Sequence, residues 1–263
     1  MLTFVGLGLY DERSITVEGR DALRTADRAF AEFYTSRLVG TSVESLESHH
    51  GIDIEVRDRA GIERHPEPIL DAAEEGDAVF LTAGDTMIST THVDLRLRAI
   101  DRGIETRVIH GVSAAQAASG LTGLQNYRFG KAVTLPFPRA HGGSDVPASV
   151  VESVEANRER GLHTLVYLDI KVDDGRGDGA GETYMTADAA AELLATEWPD
   201  RLAVAVARAG SPDPVVVADR LSALAPRGFG DPLHLLVLPA DLHHVEADAL
   251  RTLGDAPATL LPE

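Results

Sequence analysis

From end to end the chain alternates short apolar runs with longer amphipathic stretches, and no other feature constrains its fold as much. An apolar run of about four to eight residues suits a buried strand, whereas apolar residues recurring every three or four positions suit a helix packed on one side. Strand and helix in turn is the pattern of α/β architecture. LTFVGLG (2–8) reads as a strand ending in a glycine-rich turn, and residues 16–26 as a helix with Val17, Leu23 and Ala26 on one side. Residues 28–34 suit a second strand, 68–75 a short helix, and DAVFLTAG (77–84) the most marked strand of the first half. Residues 90–102 follow as a helix carrying Val93, Leu97 and Ile100, then ETRVIHG (105–111) as another strand.

After Gly111 the pattern begins again. Residues 113–119, 147–160, 187–196 and 241–253 read as helices, the last with Asp241 as N-cap. Strands are expected at 131–138, 163–170, 201–210, 213–219 and 232–240, with Ser211-Pro212 turning between the third and fourth. The expected fold is therefore two α/β domains, 1–112 and 113–263, and the lack of a long linker predicts close packing around a cleft. DDGRGDGAGE (173–182) reads as a flexible surface insertion and not as a metal site.

Composition narrows the setting. The 263 residues suffice for a substantial core, and no apolar run approaches the roughly 20 residues needed to cross a bilayer. The start, MLTFVGLGLYDERS, lacks a basic leader and is not a secretory signal. With no cysteine there is no disulfide, thiolate zinc site or cysteine nucleophile, and the chain reads as cytoplasmic. Forty-two acidic residues against 24 basic ones give a net charge of -18, which disfavours a nucleic-acid substrate. Basic charge is almost all arginine, beside Lys131 and Lys171. An acidic surface with so little lysine fits a protein kept soluble at high salt, and points to a halophilic archaeal source.

Six motifs stand at strand ends. Val5-Gly6-Leu7-Gly8-Leu9 allows close approach of backbone to a ligand, but Asp11 replaces the third glycine of a dinucleotide fingerprint. Thr82-Ala83-Gly84-Asp85 leads through a hydroxyl-rich loop to Thr90-Thr91-His92; Asp85 is placed either to receive a ligand hydrogen bond or to cap a turn. His110-Gly111-Val112-Ser113 would start a helix whose free amides suit an anion or merely an ordinary cap. Tyr167-Leu168-Asp169-Ile170-Lys171 and Ala207-Arg208-Ala209-Gly210-Ser211 end apolar strands with polar and small residues. In Pro232-Leu233-His234-Leu235 the histidine suits a satisfied core position better than a ligand.

Taken in order, and with AEFYTS (31–36) and GLQNYRFGKAVTLPFP (123–138), these motifs resemble the diphthine synthase family within the tetrapyrrole-methylase-like methyltransferases. The resemblance runs from Phe4 to about Pro239. It departs at Thr86, where such proteins commonly carry proline, and in the longer 173–182 segment. The resemblance implies an S-adenosylmethionine-dependent N-methyltransferase, a homodimer, with the cofactor folded in the cleft. The positions matching the family's cofactor contacts are Leu9, Asp85, Ile88, Ser113, Ala114, Leu168, Ala209 and His234. It also implies the acceptor: the amino group of an aminocarboxypropyl chain on a histidine of elongation factor 2, with three methyl groups added in archaeal members. A sulfonium is already a good leaving group and a neutral amine attacks it unaided, so alignment is the main task. No general base and no metal site is assigned. A precorrin-type tetrapyrrole methyltransferase and a non-catalytic binding protein of the same fold stand as alternatives.

Overall fold

The computed structural model describes residues 1–138, 145–171 and 182–262, so the Gly/Asp-rich stretch lies outside the described residues save for Glu182. Two compact units divide the chain, passing from one to the other between Ser113 and Ala114.

The first unit runs β1 (Leu2–Gly6), α1 (Val17–Thr25), β2 (Arg28–Glu32), α2 (Val43–His50), β3 (Ile54–Val56), α3 (Arg59–Glu63), α4 (Glu67–Glu75), β4 (Ala78–Thr82), α5 (Val93–Asp101) and β5 (Thr106–Ile109). Its five strands form a parallel sheet in the order β3-β2-β4-β1-β5. Because successive strand side chains face opposite ways, the sheet feeds two cores. Val5, Leu7, Ala29, Ala31, Val79 and Leu81 meet Leu23 of α1 on one face. Leu2, Phe4, Phe30 and Phe80 meet Ile69 and Leu70 of α4 and Leu95 of α5 on the other. Burial on both faces explains why β1 and β4 read as unbroken apolar runs. Glu182 is ion-paired to Arg37 of this unit.

The second unit runs α6 (Ala114–Thr122), β6 (Val133–Leu135), α7 (Ala148–Glu159), β7 (Thr164–Leu168), β8 (Ile170–Lys171), β9 (Thr183–Tyr184), α8 (Ala187–Ala195), β10 (Leu202–Ala207), β11 (Val215–Arg220), α9 (Leu221–Leu224), β12 (His234–Leu238) and α10 (His244–Leu253). The main sheet has the order β11-β10-β12-β7-β6 and is antiparallel except between β6 and β7. β10 and β11 form the adjacent pair expected around Ser211-Pro212. The same alternation divides Ala203, Ala205 and Leu236, packed with α7 and α8, from Val204, Val206 and Val237, packed with α6 and α10.

Two expectations need correction, and one stretch had been assigned no element. Residues 43–63 carry α2, β3 and α3, which their short and charged stretches do not announce. The strand expected over 163–170 breaks at Asp169, whose Oδ2 accepts from Phe137 N and whose own N–H donates to Leu135 O. The last helix is capped by His243, not Asp241: Glu246 accepts from His243 N at 2.9 Å and the His243 ring accepts from the first turn, a closed capping box. No helix among the described residues is long and apolar enough to cross a membrane.

Candidate active site

In a parallel sheet all carboxyl ends lie on one edge, and ligands bind there. The ends of β1, β4 and β5 are drawn unusually close. Leu7 N donates to Thr82 O at 2.8 Å, and Gly8 and Gly84 exchange bonds of 3.1 and 2.7 Å. A Cβ on Gly111 would lie 2.3 Å from Gly84 O, and one on Gly6 would lie 2.6 Å from Gly111 N. Side chains are thus excluded at Gly6 and Gly111, because the strand ends themselves fill that space. Gly84, at φ +74°, turns the chain out of β4 so that Asp85 follows on the rim.

Four of the eight expected cofactor positions converge here. Leu9 and Asp85 directly follow the paired Gly8 and Gly84. Ser113 has its Cα 4.0 Å from where a Gly84 Cβ would stand, and immediately precedes α6. Ile88 closes a turn onto Asp85 O and is 50% exposed, an apolar side chain displayed to solvent.

Asp85 itself is buried and both its oxygens are engaged. Oδ1 accepts from Met87 N at 2.9 Å, which is the turn cap foreseen as one of its two roles. Oδ2 accepts from His110 Nδ1 at 2.8 Å, although the His110 side chain is 73% exposed. This pair escaped sequence reasoning because the residues are 25 apart and on different strand ends; only the fold joins them.

Beside this edge lies a second group that the sequence did not assign. Glu32 ends β2 and accepts from Tyr34 N, Thr35 N and the Thr35 hydroxyl, holding the loop after β2. Burial pushes the Glu32 carboxyl up despite those bonds. His92 donates from Nδ1 to Thr86 O at 3.4 Å and packs edge-on to Phe80, so it holds the loop after β4. Burial lowers the His92 imidazole to about 4. Its Nε2 lies 3.4 Å from Glu32 Oε1, and this atom and the Thr82 and Thr86 hydroxyls have no hydrogen-bond partner among the described residues. The stretches AEFYTS and Thr90-Thr91-His92 are where a sequence signal for this group existed.

The other four positions lie in the second unit. Ala114 opens α6. His234 pairs with Ala207 and Leu235 with Tyr167, so the start of β12 lies beside the ends of β10 and β7, next to Ala209 and Leu168. His234 Nδ1 accepts from Ala187 N at 3.0 Å and Nε2 donates to Asp231 O at 2.9 Å. Burial lowers its pKa, so the ring is neutral and both nitrogens are committed, the satisfied core histidine that its apolar strand suggested. Arg208 donates to Phe229 O at 2.7 Å and Arg208 N to Leu233 O at 2.8 Å, so the polar end of β10 fastens the loop before β12.

Residues 1–225 match the family of Tetrapyrrole (Corrin/Porphyrin) Methylases. A diphthine synthase of Halorubrum lacusprofundi is 73% identical over the whole of both chains. One from Halobacterium salinarum is 72% identical over 99% of this chain and 100% of its own. A crystal structure of diphthine synthase superposes with a TM-score of 0.87 at 40% identity, covering 98% of each chain. The chain belongs to the tetrapyrrole methylases, and among them to the diphthine synthases. Its activity is that of a methyltransferase. The tetrapyrrole-methylase match takes in the β1, β4 and β5 ends, β7 and β10, while His234 lies beyond it, in the part that the full-length relatives share.

Proposed function

We propose that the protein transfers methyl groups from S-adenosylmethionine to the amino group of the aminocarboxypropyl-modified histidine of elongation factor 2, giving diphthine, with three transfers in all. The observation that carries this reading is the glycine-stripped edge formed by Gly6, Gly84 and Gly111, beside which stand Leu9, Asp85 and Ser113. What supports the fit is that the glycines let the three strand ends close on one another, which brings Leu9, Asp85 and Ser113 together, and that the Thr86 hydroxyl is buried there without a partner among the described residues.

When bound, S-adenosylmethionine supplies a methyl carbon on a sulfonium, which needs no further activation as a leaving group. The protein's part is to hold and enclose. Leu9, Ile88 and Leu168 would supply apolar walls, Ser113 and Ala114 the start of a helix, Ala209 a small surface, and Asp85 a hydrogen-bond acceptor with its remaining lone pairs. His234 would take part through its backbone, since its ring nitrogens are used. The surface charge of -18 suits work at high salt in the cytoplasm of a halophilic archaeon, and the working form is a homodimer.

Replacing Asp85 by alanine should weaken S-adenosylmethionine binding about tenfold by calorimetry, the loss of one hydrogen bond to a charged group. Unchanged affinity would remove Asp85 from the role. Mass spectrometry of elongation factor 2 after reaction reports both the acceptor and the number of methyl groups; a tetrapyrrole methylated in its place would sink the assignment.

A further inference from the structure

Transfer to an amine creates a proton problem. The acceptor amine, which stands beside a free carboxylate, is largely ammonium at pH 7, and only its small neutral share can react. Each of the first two transfers yields an ammonium that must lose a proton before the nitrogen can accept again; the third leaves none to lose. Three protons therefore leave for three methyl groups.

We infer that His110, oriented by Asp85, is the group that takes these protons. The inference rests on the methyltransferase reading above and adds a residue to it. Asp85 is an acceptor, so the 2.8 Å bond requires the proton on His110 Nδ1 and places the ring's lone pair on Nε2. The carboxylate is buried and anchored a second time by Met87 N, whereas the imidazole it holds is largely exposed. A buried carboxylate fixing the tautomer of an accessible imidazole is the arrangement of an oriented base. The pair spans the ends of β4 and β5, on either side of the Gly6–Gly8 turn, at the edge where the cofactor positions gather.

On β5, Arg107 is paired with Glu18 of α1; in the turn after β1, Asp11 is bound by Arg13. In the step itself an N–H bond of the acceptor ammonium breaks, its electron pair remains on nitrogen as the lone pair, and the proton passes to Nε2. The resulting imidazolium then gives the Nε2 proton to water.

The test uses His110→Gln, which keeps a donor toward Asp85 but has no basic nitrogen. The full-length variant should bind S-adenosylmethionine in calorimetry within twofold of the unaltered protein and melt at the same temperature. Its transfer rate to elongation factor 2 should fall at least about tenfold at pH 7, as when a positioned base is removed, and the deficit should shrink by pH 9, where more of the amine is already neutral. Mono- and dimethylated products should accumulate in its mass spectrum. Independently of activity, nitrogen NMR of the unaltered protein at pH 8 should show His110 protonated on Nδ1, and Asp85→Asn should disturb that preference. A deficit equal at pH 7 and 9, an unchanged rate, or a ring protonated on Nε2 would overturn the inference. Absence of methylation by the unaltered protein would instead strike the underlying reading.

Discussion

Both units bury a glutamate against a histidine, and the two pairs are built differently. In the second unit Glu246 accepts from Gln125 N, His243 N, Arg128 and His163, at 2.7 to 3.0 Å. Burial pushes its carboxyl up, but the backbone bonds and His163 outweigh that and hold it below the usual carboxylate range. In the first unit Glu32 is equally buried, yet its donors are two amides and a hydroxyl of one short loop, and His92 stands 3.4 Å off with no bond closed. There burial wins and the carboxyl is raised. Depth alone does not decide ionisation; the number and charge of the donors do. The difference follows position. Glu246 ties α6's end, β7's start and α10 together, a purely internal joint. Glu32 and His92 each restrain a loop at the edge where the cofactor positions gather, and polar atoms there are left unpartnered.

The largest expected effect tests the better-satisfied pair. Glu246→Ala strands a guanidinium, an imidazole and two amides, and should cost about 3–5 kcal/mol in urea unfolding. Glu32→Ala, with no cation to strand, should cost clearly less; equal losses would break the comparison. Next comes pH. The His92 imidazole is depressed to about 4, so the unfolded chain takes its proton near 6.5 and the folded chain only near 4. Its stabilising contribution is therefore complete above pH 6.5 and is lost as pH falls toward 4, by on the order of 3 kcal/mol. His92→Phe, which keeps the packing on Phe80, should flatten the stability profile in that window. His163 and His234 are depressed by burial in the same sense, so part of the slope should remain. An unaltered slope would mean that His92 is not the buried neutral ring described. The smallest effect concerns the box that Glu246 closes: His243→Ala should cost about 1 kcal/mol by thermal unfolding, the usual worth of a helix cap.

Much of the architecture was legible. The apolar runs at 2–8, 77–84 and 201–210 are β1, β4 and β10, trimmed by a residue or more at their ends, because strands buried on both faces leave a continuous apolar trace. α2, β3 and α3 were illegible because β3 is a three-residue edge strand with an exposed Val56, and α2 and α3 bury only two residues each. The cap of α10 was misread at Asp241 because the usual signal is a short acidic or hydroxyl side chain; the box closes on His243. At the candidate site, Gly6, Gly84 and Gly111 marked the ends of β1, β4 and β5 through their place in each motif.

What the sequence determined by itself, then, was local and repetitive: the order of strands and helices, the glycines at strand ends, and an acidic, thiol-free chain. These are readable because each depends on residues only a few positions apart. Tertiary structure alone decided that Asp85 meets His110, that Glu32 lies near His92, and that Glu246 gathers Gln125, Arg128 and His163. Those partners are separated by 25 to more than a hundred positions, and only the parallel crossovers of the first sheet and the antiparallel pairing of the second bring them within bonding range. Ionisation, tautomer and accessibility follow from that proximity, and the chemistry proposed for the site follows from them.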